Sequence, residues 1–183
     1  MQKRLLLNSN HLKITISRLC HQLLENHNDF SDSVILGMQP RGIFLAERIQ
    51  TELQDILGKE VNLGYLDTTF YRDDFRRGDD PKTASETKVP FIVEGKKVIL
   101  IDDVLYTGRT VRAALDALIA FGRPSKVELL ILIDRIHSRD LPVEANYVGK
   151  KVNTIHTQKV LVELKEQNNK KDNIWLIDKE ESK

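Results

Sequence analysis

The 183 residues carry 28 lysines and arginines against 27 aspartates and glutamates, a net charge of +1, which excludes wholesale affinity for nucleic acid and leaves only a local basic face to provide it. With 40% apolar residues the chain can bury a substantial core within one domain. A single cysteine, Cys20, excludes an intramolecular disulfide, no apolar run is long enough to span a bilayer, and no charged-then-apolar leader is read, so a cytoplasmic protein without a membrane partner is expected.

Taken in order, residues 1–9 read as a short lead with one apolar cluster, Leu5 to Leu7. A helix capped by Asn10 follows, because Leu12, Ile16, Leu19, Cys20 and Leu23 fall on one face. Cys20 in that company reads as a small core residue and not a nucleophile. Ser17, Arg18 and His21 lie on the other side, where a solvated helix face is the plainer reading. A strand over 33–37 leads into Gly37, Met38, Gln39, Pro40, Arg41 and Gly42, then a helix carrying Ile43, Leu45, Ala46, Ile49 and Leu53. Arg41 and the Gly42 amide would face an anion from that helix's N-terminus, while Pro40 has no amide proton and only stiffens the loop. An ordinary strand–helix turn is the alternative. A strand candidate over 61–71 runs into a polar, mixed-charge stretch reaching about Lys88, too long for an inert connection and read as a lid.

The most informative stretch is 98–110. Val98 to Ile101 is apolar without alternation, as in a parallel strand covered on both faces. Asp102 and Asp103 then stand at the carboxyl side of that strand, where open α/β sheets place ligands. Thr107, Gly108, Arg109 and Thr110 form a tight turn into a helix carrying Val111, Ala114, Leu115 and Leu118. A phosphate on the positive end of that helix and vicinal hydroxyls on the carboxylates would match this arrangement. Another buried strand, 127–133, is followed by Asp134, Arg135, Ile136 and His137, a loop expected to line the same crevice. His137 reads either as a proton shuttle or as a bystander. Segment 147–151 comes next, then 159–164 and 173–177 as a terminal antiparallel pair, and a frayed tail over 178–183.

Residues 98–110 resemble the phosphoribosyl-pyrophosphate (PRPP) motif of the type I phosphoribosyltransferases. They are neither a P-loop nor a dinucleotide fingerprint. Segments 17–21, 41–46, 71–74, 104–114, 134–142 and 147–150 resemble, in the same order, the bifunctional pyrimidine-operon attenuator / uracil phosphoribosyltransferases. The resemblance implies an α/β fold: one domain over 1–183, a central, mostly parallel twisted sheet flanked by helices, a hood loop at about 71–88 and a small C-terminal antiparallel pair. It implies conversion of uracil and PRPP to UMP and pyrophosphate. Asp102 and Asp103 would hold the ribose hydroxyls and Thr107, Gly108, Arg109 and Thr110 the 5′-phosphate. Gln39, Pro40, Arg41 and Gly42 would form the pyrophosphate loop, with Arg72 reaching in from the hood. Arg41, Arg72 and the two aspartates would be the catalytic set.

The base would rest between Val104, Leu105 and Tyr106 and the loop of Arg135, Ile136 and His137. Magnesium would arrive with PRPP, without a dedicated protein cage. Ser17, Arg18, His21, Lys150 and Lys151 would contact a leader mRNA hairpin in a UMP-responsive manner, and the chain would form a homodimer or larger homo-oligomer. Two departures stand out. Pro40 replaces an expected threonine, which is compatible with activity, and Glu144 replaces an expected arginine, which weakens a phosphate-facing surface. A nucleotide-sensing RNA regulator with little turnover, or a transferase for another base such as a purine, are the alternatives.

Overall fold

A strand buried along its whole length needs cover on both faces, and β2 (Ser33–Met38) is buried at all six positions. In the computed structural model, which describes residues 3–71 and 86–178, β2 lies inside a five-stranded sheet of order β3-β2-β4-β5-β6, parallel throughout. Its other strands are β3 (Leu63–Leu66), β4 (Lys97–Leu105), β5 (Lys126–Ile136) and β6 (Tyr147–Asn153). Neighbouring residues of a strand point to opposite faces. Ile35, Ile99, Ile101, Leu130 and Leu132 therefore pack with Leu19 and Leu23 of α1 (Ser9–His27) and Leu45 and Ile49 of α2 (Gly42–Leu57). Leu36, Leu100 and Ile131 pack on the other side with Val111, Ala114 and Leu118 of α3 (Arg109–Leu118). Parallel strands joined through helices bring the N-termini of α2 and α3 to the carboxyl ends of β2 and β4.

The second sheet departs from expectation. Lys3–Asn8 is not a lead but a strand, β1, antiparallel to β8 (Asn173–Asp178), and β8 pairs in turn with β7 (Gln158–Glu163). The small sheet thus has three strands in the order β1-β8-β7 instead of a pair. Because β1 ends at Asn8, α1 starts earlier than expected, with the Asn8 side chain and not Asn10 accepting the His11 amide at 2.9 Å.

Other boundaries move as well. Only four residues of 61–71 form a strand; Asp67 breaks it by accepting the Thr69 amide and hydroxyl at 2.9 and 2.6 Å, and a 3-10 turn, Thr69–Tyr71, follows. β4 continues through both aspartates to Leu105, and β5 reaches Ile136, so Arg135 and Ile136 belong to a strand and not to a loop. Asp178 closes β8 and is not frayed. Arg72 and most of the expected hood, together with 179–183, lie outside the described residues. No described helix is long and apolar enough to cross a membrane.

Candidate active site

The carboxyl end of β4 holds two adjacent carboxylates in different settings. Asp103 is buried, and its Oδ2 accepts from Arg41 Nε at 2.8 Å. Arg41 also donates through Nη2 to Val162 O on β7 at 2.8 Å, so its guanidinium bridges the two sheets. Asp102 Oδ1 accepts the Asp103 amide at 2.9 Å. Burial and the neighbouring Asp103 charge push the Asp102 carboxyl well above its ordinary range. Burial raises Asp103 too, but the Arg41 cation opposes it, so negative charge settles first on Asp103.

Two glycines make the close approaches possible. A Cβ on Gly42 would lie 2.3 Å from Ile101 O and 3.0 Å from Asp102 Cα, so the first turn of α2 sits directly on β4. Gly108 has φ 90 at the N-cap of α3, in the left-handed region that favours glycine, and has no side chain to cover the first-turn amides. The turn is braced from behind. Thr107 O accepts from the amides of Asp140 and Leu141 at 3.0 and 3.2 Å, and Arg109 Nε reaches Asp140 Oδ2 at 3.1 Å.

Beside the carboxylates lies a cleft of about 420 Å³ lined by Arg41, Asp103, Val104, Tyr106, Arg135, Lys159 and Val160. The Arg135 guanidinium sits 3.8 Å above the Tyr106 ring and is fixed by bonds to Thr154 Oγ1 at 3.0 Å and Gln158 O at 2.9 Å.

Arg41, Asp102, Asp103, Val104, Tyr106 and Arg135 are thus brought together, next to the turn of Thr107, Gly108, Arg109 and Thr110. Leu105 does not join them; it points the other way along the strand and packs in the core with α3. Ile136 and His137 also lie outside the cleft lining, because the strand carries them past it and His137, with φ 63, turns out to solvent. Pro40 is exposed, whereas Gln39 is buried and donates through Nε2 to Glu86 O at 2.9 Å. Lys159 and Val160 of β7, and Arg139, were not anticipated. The alternation of 158–163 marks a half-buried strand, but nothing local says that it folds over β4.

Of the expected basic face, Arg18 donates through Nη2 to Gly149 O at 2.7 Å and Val148 O at 3.2 Å, which seats α1 on the strand carrying Lys150 and Lys151. His21 Nδ1 bonds Ser17 O at 2.8 Å, and Lys150 Nζ donates to Leu6 O at 3.0 Å. Arg18, His21, Lys150, Lys151 and Glu144 are exposed.

Comparison with known proteins agrees with this geometry. The phosphoribosyl transferase domain family matches residues 4–167. The chain is 42% identical over 175 residues to "Bifunctional protein PyrR" of Elusimicrobium minutum (strain Pei191), covering 96% of this chain and 97% of that one. It is 45% identical over 164 residues to the protein of the same name from Deinococcus radiodurans, covering 90% and 89%. For that of Bacillus subtilis (strain 168) the figures are 40% over 167 residues, 90% and 92%. Among solved structures, the hypoxanthine phosphoribosyltransferase of Trypanosoma cruzi superposes with a TM-score of 0.72 over 97% of both chains at 13% identity, a likeness of fold alone.

Proposed function

The chain belongs to the phosphoribosyl transferase family, and from that membership we propose that it transfers the phosphoribosyl group of PRPP to uracil, giving UMP and pyrophosphate, and that it also binds the leader mRNA of pyrimidine genes in a UMP-responsive way. We take it to act in the cytoplasm as one domain over 1–183, assembled as a homodimer or larger. The observation that carries the transferase reading is the Asp102–Asp103 pair, tied to Arg41, between a glycine-started helix and a cleft with room for a base.

The roles follow from chemistry. Amides at the start of α3 and the hydroxyls of Thr107 and Thr110 suit the 5′-phosphate. Asp102 and Asp103 suit the vicinal ribose hydroxyls, which directs the anomeric carbon toward the cleft. As the bond from that carbon to pyrophosphate breaks, its electron pair leaves with the departing oxygen, which gains charge; as the bond to uracil N1 forms, the N1 proton passes to solvent. Arg41 and the Gly42 amide stand where that charge grows, and positive charge on the ribose ring is eased by Asp103. The stacked pair of Tyr106 and Arg135 offers one wall for a flat base.

Among the described residues, no three carboxylate, imidazole or thiolate groups converge into a metal cage. The adjacent carboxylates of Asp102 and Asp103 are hard oxygen donors of the kind magnesium takes, and would hold an ion arriving with PRPP. Bound there with PRPP, magnesium supplies charge neutralisation on the pyrophosphate.

A labelled-uracil assay with PRPP and magnesium, with purine bases as competitors, tests the reading. UMP should form and purines should compete poorly. A folded protein that turns over a purine but not uracil changes the substrate. One that turns over no base while binding RNA leaves the regulator alone.

A further inference from the structure

We propose that Arg139, which is not among the residues lining the cleft, is a positioning residue for the transfer: it aims the backbone amides of the phosphate turn and holds the wall of the base cleft. The inference rests on the transferase reading of that turn.

Arg139 lies between β5 and β6, with its side chain about one-fifth exposed. Its guanidinium is spent on the protein itself. Nε donates to Val143 O at 3.1 Å, and Nη1 to Tyr106 O, to Arg135 O at 3.0 Å and, more weakly, to Leu105 O at 3.4 Å. Nη2 pairs with Asp134 Oδ1, a buried carboxylate. One planar group therefore joins the end of β4, the end of β5 and the loop beyond. The residues it joins are functional neighbours. Tyr106 and Arg135 are the two halves of the stack on the cleft wall, and both have their carbonyls on Arg139.

The same segment takes the next carbonyl in line. Thr107 O accepts from the Asp140 and Leu141 amides, so the carbonyls of Leu105, Tyr106 and Thr107 all face 139–141. In a planar trans peptide the carbonyl and the following N–H point in opposite directions. Fixing those three carbonyls toward 139–141 aims the amides of Tyr106, Thr107 and Gly108 the other way, toward the anion site, an arrangement that binds phosphate without a charged side chain. Leu141 and Val143 pack behind Gly108, where even a Cβ would meet them at 3.3–3.4 Å. Lysine cannot take over this task, since its point-like ammonium cannot present a planar fork to several acceptors at once.

The test compares Arg139→Ala and Arg139→Lys with Arg48→Ala in the full chain. Arg48 is a fair control, because it makes paired bonds to Glu166 and Asp172 away from the cleft. Both Arg139 variants should raise KM for PRPP by about tenfold or more, with a smaller change in kcat. They should weaken calorimetric binding of ribose 5-phosphate in proportion. Added guanidinium at millimolar concentration should partly restore the alanine variant but neither the lysine variant nor Arg48→Ala. Unchanged KM and ribose 5-phosphate affinity in a folded Arg139 variant overturns the proposal. So does a loss that matches Arg48→Ala and resists guanidinium, because that is general destabilisation. Wild-type protein that fails to bind ribose 5-phosphate refutes the phosphate-turn reading itself, a separate outcome.

Discussion

Gly42 lies against Asp102 with no room between them: a Cβ would stand 3.2 Å from Asp102 Oδ1 as well as 2.3 Å from Ile101 O. The contact sets the distance between the helix end expected to face pyrophosphate and the carboxylates expected to face ribose. Gly42→Ala should force α2 away from β4, costing about 1–3 kcal/mol of stability. It should lower kcat/KM by on the order of 10²-fold through misplacement of the two halves of the site. Urea unfolding and steady-state kinetics read the two effects. Wild-type kinetics in this variant would show that the spacing does not matter to the reaction.

Asp102 is held at a cost to the fold. Its carboxyl is pushed up by burial and by Asp103, so the folded chain binds a proton there more tightly than the unfolded chain does. The sign follows. Stability from this group is present below the ordinary aspartate pKa and is lost as pH rises through the raised folded value. Asp102→Asn removes that loss, and should be more stable than wild type at neutral pH, with the difference vanishing in acid. Turnover should fall by on the order of 10²-fold, because the amide cannot accept from ribose as a carboxylate does. Thermal melts across pH together with the uracil assay check both halves. A variant less stable than wild type at neutral pH would mean that Asp102 is ionised and well solvated.

What could be read from residues alone follows a physical divide. β2, the start of β4 and the middle of β5 are legible because a parallel strand must be apolar on both faces, a property that each segment declares locally. Asp102, Asp103 and Gly108 are legible for the same reason, since carboxylates after such a strand and a glycine before a helix are local signals. β1 is not. Leu5 to Leu7 is too short to show a period, and its partner β8 lies at the other end of the sequence. Lys159 and Val160 were missed because their approach to Asp103 depends on where the three-stranded sheet sits. Sequence groups Leu105 with Val104 and Tyr106, yet it packs on the α3 side with Leu100, while Val104 packs on the side of Ile99 and Ile101. Strict alternation from Leu100 would give the reverse, so the pleat breaks at the two aspartates, which no local pattern declares.

At the other end of the sheet, His27 joins α1 to the starts of three strands. Its Nδ1 bonds Ser33 Oγ at 2.8 Å and its Nε2 bonds Glu128 Oε2 at 2.7 Å, which also accepts from the Tyr147 hydroxyl at 2.8 Å. Burial lowers the His27 pKa and Lys97 and Lys126 add to it, outweighing the pull of Glu128. The unfolded chain therefore binds the proton more readily. Stability from His27 is complete above the ordinary histidine pKa and is lost as pH falls toward the depressed folded value. Burial alone would raise Glu128, but bonds from Lys126, Tyr147 and His27 lower it, so its contribution is lost only in stronger acid. His27→Gln should cost about 2 kcal/mol at neutral pH and should flatten the change in melting temperature between about pH 7.5 and about pH 5. An unchanged slope would place the acid sensitivity elsewhere.

The basic face formed by α1 and β6 yields the last prediction, which takes leader-RNA binding as its premise. Arg18 and Lys150 are both exposed and both bonded to backbone carbonyls, of Gly149 and Leu6 respectively, so each braces the edge strand as well as carrying charge. Arg18→Ala should therefore weaken RNA binding and also lower the melting temperature. Lys151→Ala should leave the melting temperature unchanged and reduce the salt dependence of RNA binding by roughly one counterion, the share of one phosphate contact. Glu144 is exposed on the approach to β6 and opposes a polyanion there. Glu144→Arg should tighten binding and steepen the salt dependence. UMP should strengthen the complex, and RNA must then strengthen UMP binding by the same factor, since the coupling is reciprocal at equilibrium. Filter-binding titrations at several salt concentrations, with and without UMP, measure all of these. A salt slope untouched by Lys151→Ala and Glu144→Arg, with affinity no better than for an unrelated hairpin, would remove RNA from this face and leave the transferase alone.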